Sequence, residues 1–377
     1  RLSLVGSEMC IRDRHYVTAK RMLGVVERYP HTGPVERIMA GAADDLGVGG
    51  TFRNAPVGVW FGKPGERTAD PFFGGEGPDR TGCTLCGNCM VGCRVGAKNT
   101  LMKNYLALAE KRGVVIEALR TVTEVRELPG GGFSVTTERS GAWFRSERRT
   151  VRARQVVLAA GTWGTQQLLH RMKRAGALPR VSDAVGRLTR TNSEALDGAV
   201  AVAVPASLEL ARGVAITTSF HIDASTHVEN VRYGPGSNLM GALASIMVPG
   251  DRGLGRRLAS LIGQFVRAPI RQLRLGSLRR WSERGIIALV MQTVDNSLSL
   301  SLRRRFGRLV MTSAQGHGEP NPSHLPQAHR AAAAIAARVE EEGGVPAAAR
   351  GSWPEVFGIP LTLSLIHISE PTRLRRI

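Results

Sequence analysis

The sequence predicts a mixed α/β fold, of the α+β type, whose helices and strands fall in separate stretches of the chain. Two observations support this prediction. Apolar residues recur at helical spacing over 16–27, 35–46 and 327–342, and they follow a strand pattern over 114–160 and through most of the chain beyond residue 195. In addition, 377 residues are enough for one large domain or two with a sizeable buried core.

Both ends of the chain are expected to be artefacts. LVGSEMCIRDR near the start and LSLIHISEPTR near the end look like a translated sequencing adapter read on opposite strands, and such scars are excluded from fold reasoning. We therefore assign residues 1–14 and 363–377 to scars and treat residues 15–362 as natural sequence, truncated at both ends. The apolar tail at 361–368 is then no membrane anchor. The sequence contains no run of about 18 apolar residues that would span a bilayer.

The chain is strongly basic, with 51 Lys and Arg against 31 Asp and Glu and a formal net charge of +20. Such a charge favours anionic partners, namely lipid headgroups, nucleic acid or acidic metabolites. The alternative is a GC-rich genome, whose codon usage favours Arg and Ala. Nucleic-acid binding is not expected, because no recognised module or aromatic platform accompanies the charge.

The first part of the chain predicts helices and loops. The helix at 35–46 has Pro34 at its start and Gly47 at its end, which is the usual asymmetry of helix ends. A short strand is predicted at Val57–Phe61. A loop with four cysteines follows, and then a helix at Asn99–Lys111.

Residues 114–160 predict three strands joined by polar or glycine-rich turns such as PGGG. The last strand, Gln155–Ala160, is apolar on both faces, as is typical of a buried parallel strand. It runs directly into GTWGTQQLL, a glycine turn followed by a helix, which is how a doubly wound sheet presents main-chain amides to an anionic dinucleotide. Taken alone this is a weak signal. No complete G-x-G-x-x-G occurs, so the main phosphate loop of such a site would lie elsewhere.

Beyond residue 195 the sequence is mostly β. VAITTSFHID, HVENVRYG, GIIALVMQTVD and GRLVMTSAQG are strand candidates. An arginine-rich, helical insertion is predicted at 251–284, and a helix follows at 327–342.

Four of the five cysteines form one cluster, Cys83-x-x-Cys86-x-x-Cys89-x-x-x-Cys93. This is the spacing of bacterial ferredoxins, except that Arg94 stands where proline usually follows. Four thiolates at this spacing can hold an iron–sulfur cluster, and a four-thiolate zinc site is also possible. Unliganded or disulfide-paired cysteines are the remaining alternative.

Several motifs together carry a resemblance. TGCTLCGNCMVGCRVGAKNTLMKNYL, VVLAAGTWGTQQLL, RTNSE, HVENVRYGPGSN and WPEVFGIPLT occur in this order. With them the chain resembles the glucose–methanol–choline flavoprotein oxidoreductases, most closely the branch of the actinobacterial cholesterol oxidases. The resemblance covers essentially all of 15–362. It implies a helical and loop region at 15–113, part of a Rossmann-like FAD-binding domain at 114–165, and a substrate-binding domain on a large antiparallel sheet at 166–362.

The resemblance also implies an activity. Members of this family oxidise an alcohol by passing a hydride to FAD, and here the 3β-hydroxyl of a sterol is the expected substrate, with dioxygen or another electron acceptor. The family's N-terminal G-x-G-x-x-G strand and its catalytic His and Asn have no counterpart in this sequence, so the chain itself is expected to be inactive. An iron–sulfur cluster would favour a dehydrogenase of the same family that acts on another apolar alcohol, because an oxidase needs no second redox centre.

Cofactor-binding residues are carried over one by one from the resemblance. Val122 matches the position whose main chain contacts the FAD adenine. Ala160, Gly161 and Gly164 match a flavin-proximal turn, where small residues allow close approach of the backbone. Asn192, in RTNSE, is a further candidate to face the flavin or the substrate.

Glu229, in HVENVRY, is the candidate catalytic residue. The resemblance matches it to the carboxylate that moves a proton between steroid carbons during isomerisation. That role needs a carboxylate in an apolar pocket, where desolvation raises the pKa and strengthens the base. The alternative is an exposed glutamate at the end of a strand.

The insertion at 251–284 alternates Arg with Leu, Ile, Phe and Trp, as in helices that lie on anionic lipid. An enzyme that handles sterols takes its substrate from a bilayer, so we predict transient contact with an anionic membrane surface. The alternative for this segment is a solvated helical pair packed on the substrate domain. For the whole protein, the alternative to an enzyme is a basic, membrane-associated binding protein. The sequence leaves the location open between the cytoplasm and the periphery of a bacterial membrane.

Overall fold

A computed structural model describes the backbone of residues 2–143 and 146–359, and the side chains from residue 12 onwards. The adapter-like segment at 363–377 lies outside this part of the chain. None of the helices in the described part combines the length and the apolar character needed to cross a bilayer.

The chain divides into two compact units. Within the described residues, the first contains 2–115, 194–292 and 323–359, and the second contains 116–193 and 293–322. Residues 166–193 thus belong to the second unit, together with 116–165. The sequence instead predicts that they belong to the substrate-binding domain. The predicted domain limits themselves stay a prediction.

The described residues form eight α-helices, which are α1 (Leu2–Met22), α2 (Pro34–Asp45), α3 (Tyr105–Lys111), α4 (Gly161–Arg174), α5 (Leu254–Arg267), α6 (Pro269–Gly276), α7 (Pro326–Gly343) and α8 (Trp353–Val356). They also form fourteen strands, which are β1 (Arg53–Asn54), β2 (Arg67–Thr68), β3 (Arg80–Thr81), β4 (Arg120–Glu127), β5 (Phe133–Arg139), β6 (Arg149–Ala153), β7 (Ala195–Ala201), β8 (Thr218–His221), β9 (Thr226–Val231), β10 (Ala244–Ile246), β11 (Gly285–Gln292), β12 (Asn296–Arg305), β13 (Arg308–Gly318) and β14 (Ala347–Ser352).

The first unit is built on a seven-stranded sheet in the order β1-β8-β9-β11-β7-β14-β10, and each strand pairs with its neighbours in antiparallel fashion. Helices α2 and α7 cover one face, where the largest hydrophobic core lies. Small residues at helical spacing on α7, such as Ala328, Ala331 and Ala332, are completely buried and let the helix lie close to the sheet. The helix ends at Gly344, whose φ of +61° suits glycine.

A buried ion pair links α2 to this sheet. Glu36 and Arg232 are 3% and 2% exposed, and the guanidinium of Arg232 donates to Oε1 of Glu36. The hydroxyl of Thr217 donates to the same oxygen over 2.6 Å, while the amide of Gly33 donates to Oε2 over 2.8 Å. Both carboxylate oxygens therefore have partners, which is what allows a charge to be buried.

The second unit contains the antiparallel sheet β4-β5-β6, the helix α4 and the two-stranded hairpin β12-β13. Its core packs α4 against β4, with Leu168 and Met172 from the helix and Val125 from the strand. The three-stranded sheet matches the strands predicted for 114–160, although its first strand begins only at Arg120 and its last ends at Ala153.

The prediction of a buried parallel strand at Gln155–Ala160 is wrong. The structure has no regular strand there, and Val157 is 89% exposed. Val156 and Leu158 pack on the core of the second unit, so only one side of the segment is covered. The physical reason is that all strand pairs in the described sheets are antiparallel, and none of them places a neighbour beside this segment.

The mixed α/β class and the large antiparallel sheet are confirmed. The helices predicted at 35–46 and 327–342 appear as α2 and α7, and the arginine-rich insertion forms α5 and α6. The helix predicted at Asn99–Lys111 begins later, at Tyr105, because the side chain of Asn104 accepts the amide of that residue over 2.6 Å and caps the helix.

We expect that Glu36→Gln lowers the free energy of unfolding by about 3–5 kcal/mol, because it leaves the buried guanidinium of Arg232 without its counter-charge. The measurement is chemical denaturation followed by circular dichroism. The matched control is Arg37→Gln, the next residue on α2, whose exposed pair with Glu342 spans 3.4 Å. Its loss should cost less than about 1 kcal/mol. Equal effects of the two substitutions would contradict the prediction.

Candidate functional site

The face of the large sheet opposite α2 and α7 carries a narrow apolar pocket that is partly open to solvent. Alternation along the strands places every second residue of β7 on this face, so Leu196, Gly198 and Val200 line the pocket. The side chains and backbone of the following residues complete its wall: Asp197, Ala199, Met240, Leu243, Ala244, Trp281, Ile286, Ile287, Arg350 and Gly351. An apolar pocket with few polar groups is typical of a site for an apolar small molecule.

The arginine-rich insertion covers part of the same face. Leu275 of α6 and Trp281 pack against Val200 of β7. From α6, Arg271 donates to the carbonyl of Ala347 over 3.0 Å, and Gln272 accepts from Arg350 over 2.9 Å. The insertion therefore forms one wall of the pocket.

Glu229 lies in the middle of β9, on the same face as the pocket. It pairs with Leu289 of β11, which in turn pairs with Leu196 of β7. Because neighbouring strands are about 4.8 Å apart, the backbone of Glu229 lies about 10 Å from that of the pocket residue Leu196. The side chain is 22% exposed, so it is not an exposed glutamate at a strand end.

The surroundings of Glu229 shift its titration. Burial, with a contribution from the charge of Glu194, raises the pKa of Glu229 above its ordinary value. The imidazole of His227 lies 3.8 Å from Oε1. Desolvation in particular is the property that the predicted role as a base requires. The role itself stays a prediction.

The bend at 160–164 opens α4 in the second unit. Ala160 and Gly161 are exposed, and Gly161 has a φ of +68°, a conformation that suits glycine. A Cβ added at Gly164 would lie 3.2 Å from Cβ of Ala160, so the turn is already tight. No side chain caps the helix, and its first turn contains no acidic residue. The amide of Ala160 donates to the hydroxyl of Thr165 over 3.2 Å, and the positive end of the helix dipole suits an anionic group.

Val122 lies on β4, which is an edge strand, so every second main-chain group of β4 faces away from the sheet. A β-bulge interrupts the pairing between Val122 and Glu124, and Val122 is 40% exposed. Bulges are common beside binding sites because they redirect the backbone. This position can therefore offer the main-chain contact that the sequence analysis predicts.

Asn192 lies half-buried in the loop before β7. The next residue, Ser193, is completely buried and has a φ of +45°, which is uncommon for a residue other than glycine. Its amide donates to the hydroxyl of Thr191 over 3.3 Å. Strained backbone of this kind clusters at functional sites, which supports Asn192 as a candidate without assigning its partner.

The four cysteines surround a second small pocket of about 290 Å³ in the first unit, and all are half-buried free thiols. Two sulfurs accept main-chain amides over 3.4 Å, Cys83 from Leu85 and Cys93 from Lys98. Burial, to which the neighbouring thiols add, raises the pKa of Cys83 to about 11. The Cys83 thiol is therefore neutral unless a bound cation deprotonates it.

The cysteine loop offers thiols to two kinds of metal site. Within the described part of the chain, one group of three His, Cys, Asp or Glu side chains has ligand atoms that all lie within 4.8 Å of one another. None of the cysteines belongs to this group. Four thiolates around one zinc ion lie about 3.8 Å apart, because Zn–S bonds are about 2.3 Å long. A cuboidal cluster separates its thiolates more widely, and the loop offers its four thiols to either kind of site.

This group consists of Asp197, His329 and Glu355, and the sequence did not predict it. Asp197 comes from β7, on the face covered by helices, and the other two come from α7 and α8. Sequence spacing could not reveal them, because they lie more than 20 residues apart and no motif joins them. The sequence pattern that could have drawn attention to Glu355 is the Ser352-x-x-Glu355 capping box at the start of α8.

Comparison with known proteins gives consistent matches. Residues 77–181 match the family model of the GMC oxidoreductases. The chain is 47% identical over 360 residues to cholesterol oxidases of two strains of Mycobacterium tuberculosis, which is 92% of this chain and 61% of each relative. It is 38% identical over 329 residues to a cholesterol oxidase of Acinetobacter baumannii, covering 84% of this chain and 58% of the relative. The chain thus spans about three fifths of the length of these curated relatives.

Proposed function

We propose that the protein takes part in the FAD-dependent oxidation of the 3β-hydroxyl of a sterol, because residues 77–181 match the family model of the GMC oxidoreductases. The observation that carries the proposal is the 47% identity, over 92% of the chain, to proteins named cholesterol oxidase. The apolar pocket on the large sheet supports it, because a sterol ring system needs an apolar wall.

The residues of the second unit fit FAD. The N-terminal end of α4 and the small residues Ala160, Gly161 and Gly164 suit its anionic pyrophosphate. The free edge of β4 at Val122 suits a main-chain contact with its adenine. FAD, when bound, would accept the hydride from the carbon that bears the hydroxyl group.

Glu229 would act on the product of the oxidation. After the hydroxyl becomes a ketone, a proton on the carbon between the ketone and the ring double bond is acidic. The carboxylate of Glu229 removes it and returns it at the far end of the double bond, which shifts the double bond into conjugation. Burial raises the pKa of Glu229, so the carboxylate is a stronger base than an ordinary one and its conjugate acid can give the proton back.

We expect that Glu229→Gln leaves the oxidation of cholesterol near the wild-type rate but slows formation of the conjugated ketone by about 100-fold or more. The test uses protein expressed from the complete reading frame that encodes this chain, with products separated by chromatography. The base must be deprotonated to act. The rate of isomerisation should therefore rise with pH around the pKa of Glu229, which burial raises above that of an ordinary glutamate. The control is Ser219→Ala, the cross-strand neighbour of Glu229.

Two outcomes would contradict these proposals separately. If neither variant nor wild type oxidises cholesterol or bleaches a bound flavin, the sterol substrate is wrong. If the oxidation occurs and Glu229→Gln still forms the conjugated ketone at the wild-type rate, only the role of Glu229 is wrong.

A second candidate is favoured by the cysteine loop. We propose that Cys83, Cys86, Cys89 and Cys93 hold an iron–sulfur cluster that passes electrons from the flavin to an acceptor other than dioxygen. The four cysteines line one pocket, and the sulfurs of Cys83 and Cys93 accept main-chain amides of the kind that tune such clusters. The protein would then be a dehydrogenase for an apolar alcohol.

We expect anaerobically purified protein to contain about four iron and four sulfide per chain, and Cys86→Ser to lose most of both. The matched control is Thr84→Ser, which changes a residue of the same pocket that offers no thiolate. Iron and sulfide assays together with a visible absorbance spectrum give the measurement. Absence of iron from the wild-type protein would contradict the cluster while leaving the flavin reaction untouched.

We further propose that α5 and α6 touch an anionic membrane surface. Ile262, Val266 and Ile270 are 59%, 70% and 67% exposed, and exposed arginines such as Arg267 and Arg274 lie among them. Exposed apolar side chains interleaved with cations are typical of helices at a lipid interface. Since this insertion also walls the pocket, the contact would bring the pocket to the bilayer that holds the sterol.

Co-sedimentation with vesicles tests this contact. We expect binding to vesicles that contain phosphatidylserine, weaker binding to phosphatidylcholine alone, and a loss of about tenfold or more for a variant that combines Ile262→Ser with Val266→Ser, because it removes buried apolar area. The control is Phe306→Ser, which removes an apolar side chain that is 92% exposed elsewhere. Equal binding by both variants would contradict the proposal.

A further inference from the structure

Three chemically reactive side chains meet behind the large sheet. Asp197 projects from β7, His329 from the first turns of α7, and Glu355 from α8. Nε2 of His329 lies 3.9 Å from Oδ2 of Asp197 and 3.6 Å from Oε1 of Glu355. One ligand atom from each residue lies within 4.8 Å of the other two. The group belongs wholly to the first unit.

The atoms that converge have no hydrogen-bond partner. The side chain of Asp197 is completely buried and that of Glu355 is 3% exposed. Both oxygens of Asp197, Oε1 of Glu355 and Nε2 of His329 are unpartnered. The second oxygen of Glu355 accepts the amide of Ser352 over 3.1 Å, and this contact aims Oε1 at the other two side chains.

Two carboxyl groups buried side by side are stabilised either by a cation or by a proton that one of them keeps. The nearby guanidinium of Arg257 does not supply the cation, because its donors go to the main-chain carbonyls of Arg252, over 2.6 Å, and Glu355, over 2.5 Å. The imidazole can carry at most one charge, and its distances to the carboxylates are too long for hydrogen bonds. Buried charges are normally paired or coordinate a metal, so this group matches the second case.

We propose that Asp197, His329 and Glu355 bind one divalent ion of the Zn²⁺ or Mn²⁺ class. One imidazole nitrogen and two carboxylate oxygens suit these ions better than Mg²⁺ or Ca²⁺, which prefer oxygen ligands alone. With bonds of about 2.1 Å, tetrahedral ligands lie about 3.4 Å apart. Small rotations of the side chains would close the observed gaps. The second oxygen of Asp197 or a water fills the fourth position.

The ion would join three elements at the back of the pocket. Leu196 and Gly198, on either side of Asp197, line the apolar pocket on the opposite face of the sheet. Gly351, another pocket residue, immediately precedes the Ser352 cap that orients Glu355. The ion therefore holds β7, α7 and α8 in fixed positions and supports two walls of the pocket from behind. The inference does not depend on the flavin chemistry or on the cysteine loop.

The test titrates the metal-free complete chain with Mn²⁺. The concentration of unbound Mn²⁺ is measured from its electron paramagnetic resonance signal. Mn²⁺ is chosen because carboxylate and imidazole ligands retain it, whereas the thiolates of the cysteine loop prefer softer metals. We expect one bound ion per chain, and an affinity that falls by about 100-fold or more in Asp197→Asn and Glu355→Gln. Zn²⁺, measured by elemental analysis, should compete for the same site.

The matched control is His324→Gln. The ring of His324 lies 6.1 Å from that of His329 but is not one of the three ligands, so the affinity should stay unchanged. If circular dichroism shows that Asp197→Asn does not fold, His329→Gln decides instead, because that side chain is 19% exposed and tolerates replacement more easily. Loss of metal binding in His329→Gln but not in His324→Gln supports the site.

Two results would overturn the proposal. The first is that the wild-type chain binds neither Mn²⁺ nor Zn²⁺ at a site outside the cysteine loop. The other is that Asp197→Asn or His329→Gln, correctly folded, binds the ion as tightly as the wild type. If the wild type binds no ion and Asp197→Asn is more stable than the wild type at neutral pH, the two carboxyl groups share a proton.

Discussion

The buried charge pair between Glu36 and Arg232 is the constraint on which the first unit depends. It fixes α2 against the sheet, since Thr217 and the start of α2 share the same carboxylate. Arg232 also reaches the turn at Gly213, where an added Cβ would lie 2.2 Å from its guanidinium. The main chain of Gly213 in turn exchanges hydrogen bonds with Leu85 and Gly87 in the cysteine loop. One desolvated ion pair thus positions a helix, a sheet and the candidate metal loop together.

The large sheet gives each of its faces a different chemistry. The face toward α2 and α7 is packed with small and branched side chains and contains the carboxylates behind the pocket. The opposite face carries the apolar pocket and Glu229. Because side chains alternate along a strand, Leu196 and Asp197 serve opposite faces although they are neighbours in the chain. A sheet of this kind can therefore support a binding site from behind with residues that never touch the ligand.

Much of the architecture could be predicted because it follows from local periodicity. The alanine-rich pattern of α7 and the alternation in β9 and β11 each carry their own signal. The segment at 155–160 could not be placed correctly, because an apolar run does not say whether a neighbouring strand is present. The strand β12 was missed, although NSLSLSLRRR alternates, because three arginines end it. At the candidate site, the cysteine spacing and Glu229 were visible as motifs, whereas the meeting of Asp197 with His329 depends on the tertiary fold.

The exposed segment at 155–160 has a consequence for handling the protein. Val157 presents a large apolar side chain to water, and the main chain beside it is not taken up by a neighbouring strand in the described part of the structure. Such a stretch is a template onto which a second molecule can add its own extended chain. An arginine or a proline introduced at Val157 is therefore a direct way to lower self-association in concentrated solution.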